Sequence, residues 1–539
     1  MKNFYKLVIF SLLLWGALPL GAAEPVEPRL VVNIIIDGLR NDYISRFESN
    51  IGKTGIKRLQ NGGTTFRSAS YDFAQTNASA GLATIVTGAN PSSHGVISSS
   101  WKDFTTNETV RIEEDKNFNG LGSDDENRGR VSALKLMVST IGDQLKRYRP
   151  NSRSLSIAVN PSNAVIAGGR LADAAYWFDT LKGKWLTSSY YMERVPEWFK
   201  NYNNSTSYET YSGQVWATLL DSKRYISNRQ TVIQSDSSSK SFISQLFAQR
   251  QSRDFAEVMA TPFGTEMIFD LVKKTVIFED LGRDNVPDML TVVVEPFGRI
   301  AQKYGTDSRE LEDALYRLDV AIGDLLSFLD IQVGEGKVLV MMSSSRGMSD
   351  RVVEDDKSLS GYFNTLQFKA IINGFLSAQL GPGEWVTYYN DRQLYLNRRE
   401  IYAKGLKLAD VQNMAAGFAI QCRGVANAVT ATALQNSGFP NGVMRKIQNS
   451  YFPRTSGDLV INLLPGWIDD TDGVVADSGS AFRYDTNVPM IWYGWQIGTG
   501  VTVTREVDMC DVAATLAAIL KIPIPESATG NAIKEIIEF

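Results

Sequence analysis

Apolar and polar positions follow two rhythms along the chain. The stretch Leu30–Ile36 ("LVVNIII") is apolar at all but one position and ends at Asp37. Val338–Met342 is a second such run, set off by the turn-like "GEGK" at 334–337. Short continuous apolar runs bounded by turn residues suit strands buried on both faces of a parallel sheet. "SLSIAV" (154–159) and "MLTVVVE" (289–295) predict two more strands of this kind. Between them the period changes. Leu311, Leu315, Leu318, Ile322, Leu325 and Leu329 recur at helical spacing, behind Ser308 and an acidic first turn. Residues 133–148 ("ALKLMVSTIGDQLKRY") also predict a helix. Strands alternating with helices imply a large, mostly parallel sheet with helices on both faces, an α/β/α sandwich.

Two stretches break the alternation. Residues 196–260 are rich in Ser, Asn and Gln and predict a polar surface insertion. Residues 360–460 carry "FKAIINGFLSAQLG", "WVTYYNDRQLYLN" and "LADVQNMAAGFAIQ", which predict a smaller inserted α+β lobe. The core is then expected from 24–359 and 461–539. The first 23 residues carry Lys2 and Lys6, an apolar stretch and a small-residue end at Gly21 and Ala23, the pattern of a signal peptide cleaved before Glu24. An uncleaved anchor is the alternative. No later segment has ~18 uninterrupted apolar residues. The expectation is an exported protein, periplasmic or associated with an outer membrane.

Hydrophobic residues make up 43% and charged residues 21%, with a net charge of −4, so no basic stripe argues for a nucleic-acid partner. Chemistry is expected beyond the carboxyl ends of the strands. There the 338–342 strand runs into Ser343, Ser344, Ser345 and Arg346, with no His, Asp, Glu or Cys. The chain has a single histidine, His94, in "NPSSHGV", read as a turn or core residue. Its two cysteines, Cys422 and Cys510, are read as free thiols, with a disulfide as the alternative. The acidic clusters "EEDKN", "SDDEN" and "WIDDTDG" read as solvated turns; the last lacks the full calcium-loop spacing.

Five separated stretches together resemble the alkaline phosphatase superfamily, in particular its exported branch of Thr-nucleophile phosphatases and nucleotide pyrophosphatase/phosphodiesterases. They are "VVNIIIDGLRNDY", "ATIVTGANPSSHGV", "GGRLADAAYWFD", "YDTNVPMIWYG" and "VDMCDVAATLAAILKIPIPESATG". The resemblance implies two zinc ions that activate a hydroxyl nucleophile and stabilise displacement at phosphorus. Its metal positions fall on Asp37, Glu295, Arg299, Ser345, Arg346 and Ser478, so all three metal histidines are replaced. The nucleophile position falls on Ala78, with Thr76 and Ser79 as flanking hydroxyls. Substrate-gripping positions fall on Asn160, Ser162 and near Ser99. Zinc needs about three His, Asp, Glu or Cys ligands, and Asp37 and Glu295 alone fall short. These replacements imply a catalytically inactive relative, a pseudoenzyme with no metal cofactor that binds a ligand or a cell-envelope protein as a scaffold. The alternative is a phosphoric ester hydrolase that keeps two zinc ions in an atypical site. Because a buried carboxylate needs a cation, Arg299 or Arg346 is expected to pair with Asp37 or Glu295.

Overall fold

The structure is a computed structural model that describes residues 27–538, apart from 126, 206–210, 212–213, 232–254 and 355–356. The expected leader and the middle of the 196–260 stretch lie outside the described residues.

Ten strands form the main sheet. In chain order they are β1 (Leu30–Ile36), β2 (Gly63–Ser70), β3 (Gly120–Leu121), β4 (Ser154–Ile157), β5 (Ala174–Asp179), β6 (Lys184–Ser188), β7 (Asp288–Val294), β8 (Val338–Ser343), β13 (Asn487–Gly494) and β14 (Val501–Asp508). Their order across the sheet is β14-β2-β13-β8-β1-β7-β4-β5-β6-β3. The middle of the sheet, β8-β1-β7-β4-β5, is parallel throughout. On one side of it β13 runs antiparallel to β8 and β2; on the other, β6 runs antiparallel to β5. The sheet is therefore mixed, with a parallel centre.

The apolar runs form the centre because they can be covered on both faces. Val32, Ile34 and Ile36 of β1 join one core with Leu290, Val292, Val340 and Met342. Val31 and Ile35 join the other with Met289, Val293, Leu339 and Met341. Burying each such side chain contributes about 1.5–3 kcal/mol. The one polar residue in β1, Asn33, donates its side-chain amide across the sheet to Thr291 Oγ1 at 3.2 Å, while its side-chain oxygen is buried without a partner. The register matters for the site. Ile36 lies opposite Val294 and Ile35 opposite Ser343. The residues just past these strands, Asp37, Glu295 and Ser344–Arg346, therefore emerge side by side.

The helices that cover the faces are α1 (Ala78–Thr87), α2 (Ile141–Tyr148), α3 (Pro161–Gly168), α4 (Pro262–Phe278), α5 (Glu295–Tyr304), α6 (Arg309–Leu329) and α9 (Asp511–Leu520). The predicted apolar stripe of α6 is buried in the first core, and Ser308 caps the helix by accepting from Leu311 N. The helix predicted over 133–148 is corrected: only Ile141–Tyr148 is helical. Thr140 and Asp143 form a reciprocal capping box, which fixes the start at Ile141. Ala133 and Leu136 still bury themselves in the second core, but from a loop.

The inserted lobe has its own four-stranded sheet, β9 (Val386–Asn390), β10 (Gln393–Leu396), β11 (Val425–Thr430) and β12 (Leu459–Leu463), in the order β9-β10-β12-β11. Helices α7 (Thr365–Leu380) and α8 (Leu408–Ala419) share with it a separate core built on Phe368, Ile372, Trp385, Leu394 and Ile461. The lobe's sheet thus runs through Leu463, past the expected boundary at 460. The 196–260 stretch is not purely polar surface: Phe199, Tyr202, Trp216 and Tyr225 are anchored in the first core. Cys422 and Cys510 are free thiols. Among the described residues no helix is long and apolar enough to cross a membrane.

Helix α1 approaches the end of β8 so closely that a Cβ on Gly81 would lie 1.6 Å from the Ser345 carbonyl oxygen. Gly81→Ala is expected to destabilise the protein by about 1–3 kcal/mol or more in chemical denaturation, since backbone meets backbone there. Gly374→Ala, on α7 with open space around it, is expected to stabilise by about 0.5–1 kcal/mol.

Candidate functional site

Asp37 leaves the carboxyl end of β1 with its N–H donated to the Val294 carbonyl at 3.1 Å. Its carboxylate faces Arg346 at the end of β8. Arg346 Nε donates to Asp37 Oδ1 at 2.8 Å and Nη2 to Oδ2 at 3.1 Å, a two-pronged pair. Ser345 Oγ adds a third donor to Oδ1 at 3.1 Å. The remaining Arg346 nitrogen, Nη1, bonds Asp477 Oδ1 at 2.8 Å and Ser478 Oγ at 2.9 Å. Arg346 is 7% exposed. Burial works against its charge, but Asp37 and Asp477 outweigh it and hold the guanidinium above its usual pKa. Gly298 of α5 presses on the other side of Asp37: a Cβ there would sit 2.2 Å from Oδ2.

Glu295 opens α5 and points at the loop after β4. It accepts from the Val159 N–H, from the Asn160 N–H at 3.0 Å, and from Asn163 Nδ2 at 2.8 Å. Burial pushes its pKa up to about 7, while nearby Arg299 and these donors oppose the shift. Arg299, one turn further along α5, makes no ion pair with it; its Nη2 donates to Asn160 Oδ1 at 2.9 Å. Of the two arginines at histidine positions, Arg346 pairs with a carboxylate and Arg299 does not.

The nucleophile position is a methyl group. Ala78 begins α1 behind the cap residue Asn77, whose side chain accepts from Ala80 N. The flanking hydroxyls donate to the protein: Thr76 Oγ1 to the Ser480 carbonyl at 3.2 Å and Ser79 Oγ to Asn163 Oδ1 at 3.1 Å. Ser478, at the third histidine position, donates its hydroxyl to the Thr76 carbonyl at 2.7 Å. Ser162 is buried, and the Ser99 carbonyl accepts from Ile112 N. His94 is buried. Its Nδ1 accepts from Val96 N at 3.0 Å, and its Nε2 lies 3.2 Å from Thr84 Oγ1. Burial lowers its pKa to about 3, so it is neutral.

These residues do not fit a pair of zinc ions. A guanidinium lies across Asp37, and serines stand at two further ligand positions. Among the described residues no group of three or more His, Cys, Asp and Glu is placed to hold a metal ion.

Sequence reading missed the part of the site supplied by the lobe. The β9–β10 hairpin turns at Asp391 and Arg392, with φ of 44° and 65°. Asp391 accepts from Ser98 Oγ, and Asn390 Nδ2 donates to the Ser100 carbonyl at 3.1 Å. Arg392 Nη1 bonds Asp469 Oδ1 at 2.9 Å, which also accepts from Tyr389 OH at 3.1 Å. Asp469, read from "WIDDTDG" as a solvated turn, is instead a counter-charge. Burial raises Asp469 to about 6 against the pull of Arg392, and Asp485 to about 7 against a hydrogen bond from Ser480. The two-residue turn "DR" between apolar strands was visible in sequence; its destination was not.

Comparison with known proteins agrees with this fold. Residues 31–472 match the profile of the type I phosphodiesterase / nucleotide pyrophosphatase family. A Myroides odoratus protein named as a calcium-transporting ATPase is 30% identical, covering 99% of this chain and all of that one. Alkaline phosphatase PhoV of Synechococcus elongatus is 28% identical over 95% of this chain and 93% of its own. The crystal structure of wild-type alkaline phosphatase PafA superposes with a TM-score of 0.86 at 26% identity, over 95% of this chain and 99% of that one. A murine ectonucleotide pyrophosphatase/phosphodiesterase, at 11% identity and a TM-score of 0.52, shares the fold.

Two outcomes are expected. Arg346→Ala leaves Asp37 buried without its cation and should cost about 3–5 kcal/mol in denaturant titrations. Pairing it with Asp37→Asn should recover part of that loss. The second concerns pH. Glu295 has a folded pKa near 7 against 4.5 ordinarily, so between these values the folded state holds a proton that the unfolded chain releases. Its contribution is complete below the lower value and is lost as pH rises through the upper one. Glu295→Gln should flatten the fall in stability across that window by about 1.4 kcal/mol per pH unit.

Proposed function

The chain belongs to the type I phosphodiesterase / nucleotide pyrophosphatase family of the alkaline phosphatase superfamily, and from that premise we propose that it is a member that has exchanged hydrolysis for binding. The observation that carries this reading is the two-pronged Arg346–Asp37 pair. A cation fixed by the chain stands against the carboxylate that a metal would need. Ala78 stands at the nucleophile position, and the Thr76 and Ser79 hydroxyls donate to the Ser480 carbonyl and the Asn163 side-chain oxygen; a hydroxyl at neutral pH needs a base or a metal to attack phosphorus. On this reading the protein uses no metal cofactor and holds a ligand or a cell-envelope protein partner. It does so after export to the periplasm or an outer membrane, the route suggested by residues 1–23.

A second reading, hydrolysis of phosphoric esters through an atypical site, is favoured by the alkaline phosphatase names of full-length relatives. Elemental analysis of the purified protein, with phosphomonoester and phosphodiester assays run with and without added zinc, separates the two. The binding reading expects less than stoichiometric zinc and no turnover above buffer. Turnover that vanishes in Thr76→Ala or Ser79→Ala selects the hydrolase. For export, mass spectrometry should find a mature N-terminus at Glu24; an intact Met1 counts against it.

A further inference from the structure

The inserted lobe has an unpartnered face of its own. Helices α7 and α8 pack side by side, with Phe375 and Phe418 stacked at 4.1 Å between ring centroids. Over their 16 and 12 residues they hold just two charged side chains, Lys369 and Asp410, although 21% of the chain is charged. Ala370, Ile371, Gly417 and Ile420 are exposed on or just past them. A cleft of about 610 Å³ lies where the start of α7 and the segment after α8 meet the short paired strands Gly361–Phe363 and Trp467–Asp469. Phe363, Phe368, Ile371 and Trp467 line it. The Trp467 ring is fixed against bare backbone: a Cβ on Gly361 would lie 2.9 Å from it and one on Gly424 2.3 Å. Beside this cleft stand the two most exposed large hydrophobic side chains among the described residues, Leu359 at 87% and Leu366 at 81%. Leu359 sits between the lining residues Ser358 and Ser360, and Leu366 just ahead of the lining residue Gln367.

Exposed apolar side chains that cluster around a cleft mark a docking surface. Knob and hole lie here on the same face, which is what a surface needs to meet its own copy, because a two-fold axis makes every contact occur twice. Charge agrees with this. A patch of one sign would repel its copy, whereas this cleft carries one charge of each sign. Glu354 and Arg423 are both on its wall and both exposed, and neither makes an ion pair among the described residues. Arg423 has only the Trp467 ring beneath it, at 5.4 Å from the centroid. We propose that the protein forms a two-fold dimer through this face of the lobe: Leu359 and Leu366 of each copy enter the cleft of the other, and Glu354 of each meets Arg423 of the other. A membrane surface is the poorer occupant, since interfacial helices carry a basic polar face and α7 and α8 do not. Helix α7 is about 24 Å long, and two helices side by side are about 20 Å wide. With the cleft, this reaches the low end of the area that specific partners bury, about 600 Å² per copy, so a dimer in the micromolar range is expected. The altered centre takes no part in these contacts, and the inference stands whether or not the protein hydrolyses esters.

Sedimentation velocity of the full purified protein, from about 1 to 200 μM, tests this. The sedimentation coefficient should rise with concentration from monomer to dimer. Leu366→Glu should weaken association by about tenfold or more. An acidic residue suits the first turn of a helix, so this variant should fold normally, with thermal melting as the check. Glu354→Arg sets like charges against each other at both cross-contacts and should weaken the dimer by about tenfold. Adding Arg423→Glu reverses both signs and should recover most of that loss. A monomer at the highest concentration overturns the proposal, even if that monomer binds anionic vesicles or another protein through the same face. A dimer that both single variants leave unchanged overturns it too, because the contact then lies elsewhere.

Discussion

A carboxylate at the end of a central buried strand has to be neutralised, and the architecture around this site follows from how that is done. Asp37 is fixed at the end of β1 by the register with β7 and β8. An isolated carboxylate in such surroundings is strongly disfavoured. Arg346 meets both of its oxygens and then uses its third nitrogen to hold Asp477 and Ser478. Ser478 in turn donates to the Thr76 carbonyl, just ahead of α1. One cation therefore ties together the ends of two central strands, the 477–478 loop and the approach to the helix that bears Ala78. A bound metal could be lost to a chelator or to acid. An arginine is part of the chain and stays charged at any pH the fold survives.

The same neighbourhood holds more acid than Arg346 can balance. Asp477 acts on each of Asp391, Asp469 and Asp485, and Asp391 also acts on Asp469. The lobe supplies the second cation, Arg392, on a hairpin tip whose two residues both have positive φ. Non-glycine residues in that region cost of order 1–3 kcal/mol each, and they persist when surrounding contacts over-determine them. The bonds from Ser98, Asn390 and Tyr389 and the Arg392–Asp469 pair are those contacts. The lobe is thus joined to the core by charge as well as by the chain. The site is built from both.

Fold and chemistry separate cleanly in this protein. A superposition at 26% identity with a TM-score of 0.86 shows that the sheet and its helices tolerate wide substitution. Buried strands require apolar residues of suitable size and little more. The residues one step past those strands obey a different demand, set by charge and by donor geometry. Function is carried there and not by the sandwich.

The parallel centre of the sheet was legible in the sequence, because Leu30–Ile36, 289–294 and Val338–Met342 are apolar runs that only a doubly covered sheet can bury. So was the stripe of α6, whose spacing admits one face. The missing metal histidines were legible too, since the chain contains a single histidine. The start of α2 was not read, because helical spacing over 133–148 hid the capping box at Thr140 and Asp143. The choice between Arg346 and Arg299 as the partner of Asp37 was also beyond the sequence. Both arginines stand at equivalent histidine positions, and only the paths of β8 and α5 decide which fork reaches a carboxylate. Asp391, Arg392, Asp469 and Asp485 lie far apart along the chain, in segments that read locally as turns. Their shared burial is a property of how the lobe docks, and long-range packing of that kind leaves no local pattern in an amino-acid sequence.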